Sequence, residues 1–277
     1  MKNNFKTFFL MTMLTVFFVF VGGLLGGKEG AIIAFIVAAG TNFFAYWFSA
    51  KMVLKRYRAQ EVTSPQSRLY KVVQELIPKS GLPMPKVYVI PQESPNAFAT
   101  GRNPKHAAVA ATQGILNILN DDELSGVMAH ELTHVKNRDM LTGTIAATLA
   151  GAITMLAQFG MISARGSRRS NPLLMIPVLI LAPLVAMFVR MTISRVREFA
   201  ADKGGAELSG KPLGLANALA KLHNGVARNP LQNGNPAHSN LFIVNPFLGG
   251  GLKKLFASHP PVEERIKKLN EIASGKI

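Results

Sequence analysis

The chain has 277 residues, a formal charge of +16 from 31 Lys and Arg against 15 Asp and Glu, and no cysteine. The lack of cysteine excludes disulfides and every cysteine-ligated metal site. Only 17% of residues are charged against 48% hydrophobic, and the apolar residues fall in long runs. The basic excess is therefore read as flanking membrane segments, not as a nucleic-acid surface.

Two charge-free runs open the chain, residues 8–25 and 31–50. Each is close to the ~20 residues that cross a bilayer, and together they predict a transmembrane hairpin over 1–58. Lys2 and Lys6 give the first run the look of a signal peptide. No A-x-A cleavage site follows it, however, and the second run starts five residues later, so it reads as an anchor. Gly22, Gly23, Gly26 and Gly27 allow close contact between the two helices. Lys51, Lys55, Arg56 and Arg58 follow the second run, with Tyr46 and Trp47 as interface anchors, whereas the connecting loop holds only Lys28 and Glu29. This asymmetry predicts that both termini and the catalytic portion of the chain face the cytoplasm.

After the hairpin, residues 64–76 predict an amphipathic helix, with Leu69, Val72, Val73 and Leu76 at helical spacing after Ser64-Pro65. Gly81-Leu82-Pro83 ends it. Residues 86–90 predict a strand, and 107–119 a second strand or two shorter pieces. Between them, Asn96-Ala97-Phe98-Ala99-Thr100-Gly101 is small, apolar and flanked by turns. It reads equally as a core strand or as a cleft-rim strand that pairs with an extended substrate.

Asn120-Asp121-Asp122-Glu123 then predicts a helix start, with a cap and an acidic first turn. Leu124, Val127 and Met128 carry the period into His130-Glu131-Leu132-Thr133-His134. This HExxH pattern puts two imidazoles one turn apart on one helix face, where both can bind one Zn²⁺. Glu131 lies close enough to act on a water that the ion activates. Asp121, Asp122, Glu123, Lys136 and Arg138 flank the motif, which argues against a site deep within the bilayer.

Two further apolar runs follow, residues 141–164 and 172–189, bringing the expected number of membrane helices to about four. Arg165, Arg168 and Arg169 lie between them, on the outer face if both runs cross. Two crossings, or none in a hairpin that dips into the membrane or packs in the protein, both return the chain to the same side; two are preferred. Pro177 and Pro183 predict a bend in the fourth helix. Beyond it, Arg197-Glu198-Phe199-Ala200-Ala201-Asp202 places two carboxylates on one helix face. Glu198 is assigned as the third metal ligand and Asp202 as the acceptor that orients a ligand histidine. The plainer alternative is surface pairing with Arg195, Arg197 or Lys203. Residues 213–223 predict a helix, 224–251 a long loop rich in Gly, Asn and Pro, and His259-Pro260-Pro261 the start of a final helix through Leu269.

Four segments together carry a resemblance: Asn96–Gly101, His130–Asp139, Glu198–Asp202 and Ser258–Arg265. In this order, with the apolar runs between, the chain resembles the HtpX-type membrane zinc metallopeptidases, relatives of the CAAX prenyl proteases. The fold expected is a mainly α membrane protein of α+β class. It has a cytoplasmic gluzincin-like zinc peptidase domain over 59–277, carrying a small β-sheet and interrupted by a hydrophobic hairpin at 141–190.

The resemblance implies one Zn²⁺ per chain on His130, His134 and Glu198, with Glu131 as the base. It implies substrate contacts at Asn96, Phe98 and Ala99, oxyanion stabilisation by His259, and Arg265 holding Asp202. It also implies quality control of damaged or misfolded membrane and membrane-proximal proteins on the cytoplasmic side of the bacterial inner membrane. Partners are then protein substrates and the lipid bilayer, with no nucleic acid; the oligomeric state is unassigned. The competing classes are an intramembrane protease and a non-catalytic membrane scaffold with structural zinc.

Overall fold

A hydrogen bond between residues 31 apart organises the N-terminal segment of the computed structural model, which describes residues 2–141, 143, 195–228, 243 and 260–276. Asn42 Nδ2 donates to the Met11 carbonyl at 3.2 Å and to Thr15 Oγ1 at 2.8 Å. Along one straight helix these positions would be about 46 Å apart. Helix α1 (Lys2–Arg56) therefore doubles back on itself. The reversal is at Gly27, whose φ of +58° is the left-handed conformation that glycine adopts without a Cβ penalty. The second arm, Gly27–Arg56, is the one helix among the described residues long and apolar enough to cross a membrane. Only 11% of its apolar window is buried, so it is not a core helix. The 8–25 run forms the first arm, whereas the 141–164 and 172–189 runs lie almost wholly outside the described residues.

The second arm leads into a four-stranded sheet of order β1-β2-β4-β3. Strand β1 (Gln60–Glu61) pairs antiparallel with β2 (Lys86–Ile90). Strand β2 is parallel to β4 (Ala107–Thr112), and β3 (Ala97–Gly101) lies antiparallel to β4 at the edge. Side chains alternate across the sheet. Ala97, Ala99, Val109 and Ala111 join the main core, while Phe98, Ala108 and Ala110 face Val53, Leu54 and Tyr57 at the end of the hairpin. Tyr57 stacks near Phe98 at 6.1 Å, and the Arg102 guanidinium lies 4.5 Å from the Trp47 ring. These contacts seat the hairpin on the edge strand.

Helix α2 (Arg68–Ser80) starts later than the Ser64-Pro65 signal suggested, because Ser64 to Ser67 forms a turn closed by Ser67 N–H to Ser64 O. It runs through Pro78 and ends at Gly81. The expected second strand stops at Thr112. Residues 113–118 form helix α3 (Gln113–Ile118) instead, nucleated by the Thr112 side chain accepting from the Ile115 N–H.

Helix α4 (Asp121–Asn137) is the central element. Asn120 and Glu123 form a reciprocal capping box, each side chain accepting from the other's backbone N–H at 2.9 Å. Around α4 pack α2, α5 (Arg195–Ser209) and α6 (Pro212–Arg228), with α7 (Val262–Ala273) against α5 and α6. The apolar period at Leu124, Val127, Met128, Leu132 and Val135 is fully buried by these neighbours.

Candidate metal centre

The helix period of α4 brings His130 and His134 to one face, with their Nε2 atoms 3.2 Å apart. From α5, Glu198 points between them: its Oε2 is 3.8 Å from His130 Nε2 and its Oε1 3.6 Å from His134 Nε2. One ligand atom from each of the three residues falls within 4.8 Å of the others. Tetrahedral ligands about 2.0–2.1 Å from zinc would be roughly 3.3 Å apart, so the spacing fits.

The outer ring nitrogens give a second test of fit. His130 Nδ1 is 3.0 Å from Asp202 Oδ1, a bent contact short of a full hydrogen bond, and His134 Nδ1 is 3.2 Å from Asp139 Oδ2. With Nδ1 protonated toward these carboxylates, both Nε2 lone pairs converge on one point beside a carboxylate. Two nitrogens and one oxygen converging in this way suit a divalent cation of borderline softness such as Zn²⁺.

Asp202 is buried, where desolvation would raise its pKa. The Arg265 guanidinium wins, holding it well below the ordinary carboxylate range. Arg265 is itself fully buried and donates from Nε and Nη2 to the two Asp202 oxygens at 2.8 and 2.7 Å. Surface pairing of Glu198 and Asp202 is thus ruled out, since both are buried in the site.

Glu131 is also buried, and its carboxyl is pushed up to about 7. Desolvation is the main cause; His134 opposes it and Glu198 adds to it. Burial lowers His130 to about 4. At His134 burial acts in the same direction, but the Asp139 hydrogen bond with Glu198 and Glu131 outweighs it and raises the imidazole to about 9. The carboxylates therefore make this pocket favourable for positive charge.

The edge strand borders the same site. Asn96 O accepts from Thr112 N–H, so by alternation Ala97 and Ala99 turn their backbone groups away from β4. Ala99 N–H donates to the Glu131 carboxylate. Asn96 is buried and its Oδ1 accepts from Ala97 N–H at 3.0 Å. Phe98 has no exposed surface and packs toward Tyr57. His259 lies outside the described residues.

Two participants were given no role from the sequence. Ile243, within the expected 224–251 loop, donates its N–H to Ala97 O at 3.1 Å and accepts from Arg265 Nη1 at 2.9 Å. Asp139 reaches His134 because Arg138 is left-handed, with φ of +59°, and turns the chain back over the end of α4. The position of Asp139 five residues past His134 was visible in the sequence, but the turn that aims it was not.

Comparison with known proteins places this geometry. The profile of peptidase family M48 matches residues 63–273. A protease HtpX homolog of Syntrophotalea carbinolica is 54% identical over 98% of this chain and 99% of its own length. Another, from Methylibium petroleiphilum, is 54% identical over the full length of both. The chain belongs to peptidase family M48. That membership indicates a metalloprotease, the apolar helix Gly27–Arg56 fits a membrane protein, and the His-His-Glu cluster is consistent with zinc. The crystal structure of S. mikatae Ste24p superposes with a TM-score of 0.55 at 16% identity, covering 97% of this chain and 66% of that one. At that identity the likeness is one of fold alone.

Proposed function

We propose that this M48 protein is a membrane-anchored zinc endopeptidase that cleaves damaged or misfolded membrane and membrane-proximal proteins on the cytoplasmic side of a bacterial inner membrane. The observation that carries the reading is the convergence of His130, His134 and Glu198 beside the buried Glu131. His130, His134 and Glu198 hold the ion. Bound there, a zinc ion would supply Lewis-acid polarisation of a water molecule and of the scissile carbonyl. Glu131 would accept a proton from the attacking water and return it to the leaving amine. A carboxyl lifted by burial toward neutrality suits both transfers.

Asp202, held by Arg265, orients His130. The outward-facing backbone of β3 at Ala99 receives the substrate backbone, with Asn96 and Phe98 holding that strand in place from the β4 side, and His259 steadies the oxyanion. The domains follow the same reading: a transmembrane hairpin over 1–58, and a peptidase domain over 59–277 interrupted by a second membrane hairpin at 141–190, four crossings in all. Only six residues separate His134 from the third apolar run, which places the site roughly 10–15 Å from the apolar boundary. Such a site reaches loops and span ends next to the bilayer.

The absence of cysteine makes the orientation directly testable. Single cysteines at Ser64 and Ser274 should resist a membrane-impermeant maleimide in intact cells and react after lysis. Labelling of both in intact cells would overturn the cytoplasmic assignment. For the substrate class, vesicles containing the protein and a destabilised membrane protein should show cleavage within the latter's cytoplasmic loops. Cleavage confined to unrelated soluble proteins would count against it.

A further inference from the structure

Both ligand histidines are backed by a carboxylate, and each carboxylate by an arginine. The His130 side runs through Asp202 to Arg265. The His134 side runs from Nδ1 to Asp139 Oδ2 at 3.2 Å, and from Asp139 Oδ1 to Arg197 Nη1 at 3.7 Å. Neither Asp139 nor Arg197 has a role in the mechanism above.

Their place in the chain gives the pair a second property. Asp139 lies two residues past α4, just after its C-cap Arg138, and two residues before the third apolar run begins. Arg197 lies on α5, eight residues after the fourth run ends, and directly precedes Glu198. The pair therefore bridges the two ends of the insertion and touches a ligand, or the neighbour of a ligand, on each side. At 3.7 Å and partly exposed, the ion pair alone adds little stability. Its value lies in orientation, because a ligand histidine depends on the acceptor at its far nitrogen for tautomer and ring angle.

We propose that Asp139 and Arg197 form a positioning pair for the second histidine. Asp139 holds His134 so that Nε2 faces the metal, and Arg197 holds Asp139, tying the ligand geometry to the neck of the apolar insertion. This rests on the zinc-peptidase reading. A merely structural Asp139, stapling the end of α4, would affect melting but leave metal affinity alone.

The test uses the full-length protein in detergent. Zinc affinity is measured by competition with a chelating indicator, ligand geometry by the visible absorption of Co²⁺-substituted protein, and folding by melting of the chelator-treated protein. Asp139→Ala should bind zinc about 10–100-fold more weakly and shift the Co²⁺ bands. Asp139→Asn, which keeps an acceptor but loses the charge, and Arg197→Gln, which frees Asp139, should each weaken binding by about 3–10-fold. Zinc affinities within twofold of wild type and unchanged Co²⁺ bands, in whichever of these variants fold, would overturn the proposal even if melting falls. If the wild type itself fails to bind zinc or to cleave protein, the peptidase reading fails instead.

Discussion

Gly205 of α5 lies directly against the backbone of His130: a Cβ there would come within 2.8 Å of the His130 nitrogen and 2.9 Å of its Cα. Both contacts are to main chain, which cannot swing aside as a side chain can. This close approach lets α5 deliver Glu198 to the histidines of α4. Gly205→Ala should push the helices apart, destabilise the fold by about 1–3 kcal/mol and weaken zinc binding. Calorimetry and zinc content of the purified variant check this; wild-type values for both would show that the helices tolerate the separation.

Arg265 should be among the most costly side chains to truncate. It is fully buried and donates to Asp202 twice and to Ile243 O once. Removing one partner of a buried pair leaves the other charge unpaired, at a cost of about 3–5 kcal/mol. Arg265→Met is expected to melt far below wild type, and Arg265→Lys to recover only part of the loss, because one ammonium cannot match the two-pronged contact. Equal melting of the Met variant and wild type would mean Asp202 is held by other means.

Much of this arrangement was legible in the sequence, and the parts that were not share a cause. Asn120 and Glu123 announce the start of α4, and the apolar period then sets which face carries His130 and His134. Lys86–Ile90 reads as a strand from its β-branched and aromatic residues. Residues 113–118 misled because Ile115 and Ile118 suit either state, and a single capping bond from Thr112 decides for helix. Strand β1 is only two residues long, too short for any period. Ile243 meeting Ala97, Gly205 meeting His130 and Arg138 turning left-handed are set by tertiary packing. No local pattern encodes which distant backbone a residue will touch.

Zinc affinity should depend on pH through His134. The carboxylates around it raise its pKa to about 9, so in chelator-treated protein at pH 7 it carries a proton that a metal must displace. Binding then releases a proton, and rising pH favours the complex. Apparent affinity should climb by about tenfold per pH unit from 7 toward 9 and flatten above. Competition titrations across that range give the slope. A flat profile from pH 7 to 9 would mean that His134 is already neutral in the free protein.

The most direct test compares wild type with Glu131→Gln, purified in detergent with chelator and then supplied with defined Zn²⁺. Zinc content and casein cleavage are measured side by side. A catalytic base buried beside an intact His-His-Glu cluster predicts one zinc per chain in both proteins and cleavage only in wild type. Cleavage retained by the Gln variant, free of contaminating protease, would contradict the role of Glu131. Zinc in both with cleavage in neither would point to a structural metal, or to a substrate class that casein does not represent.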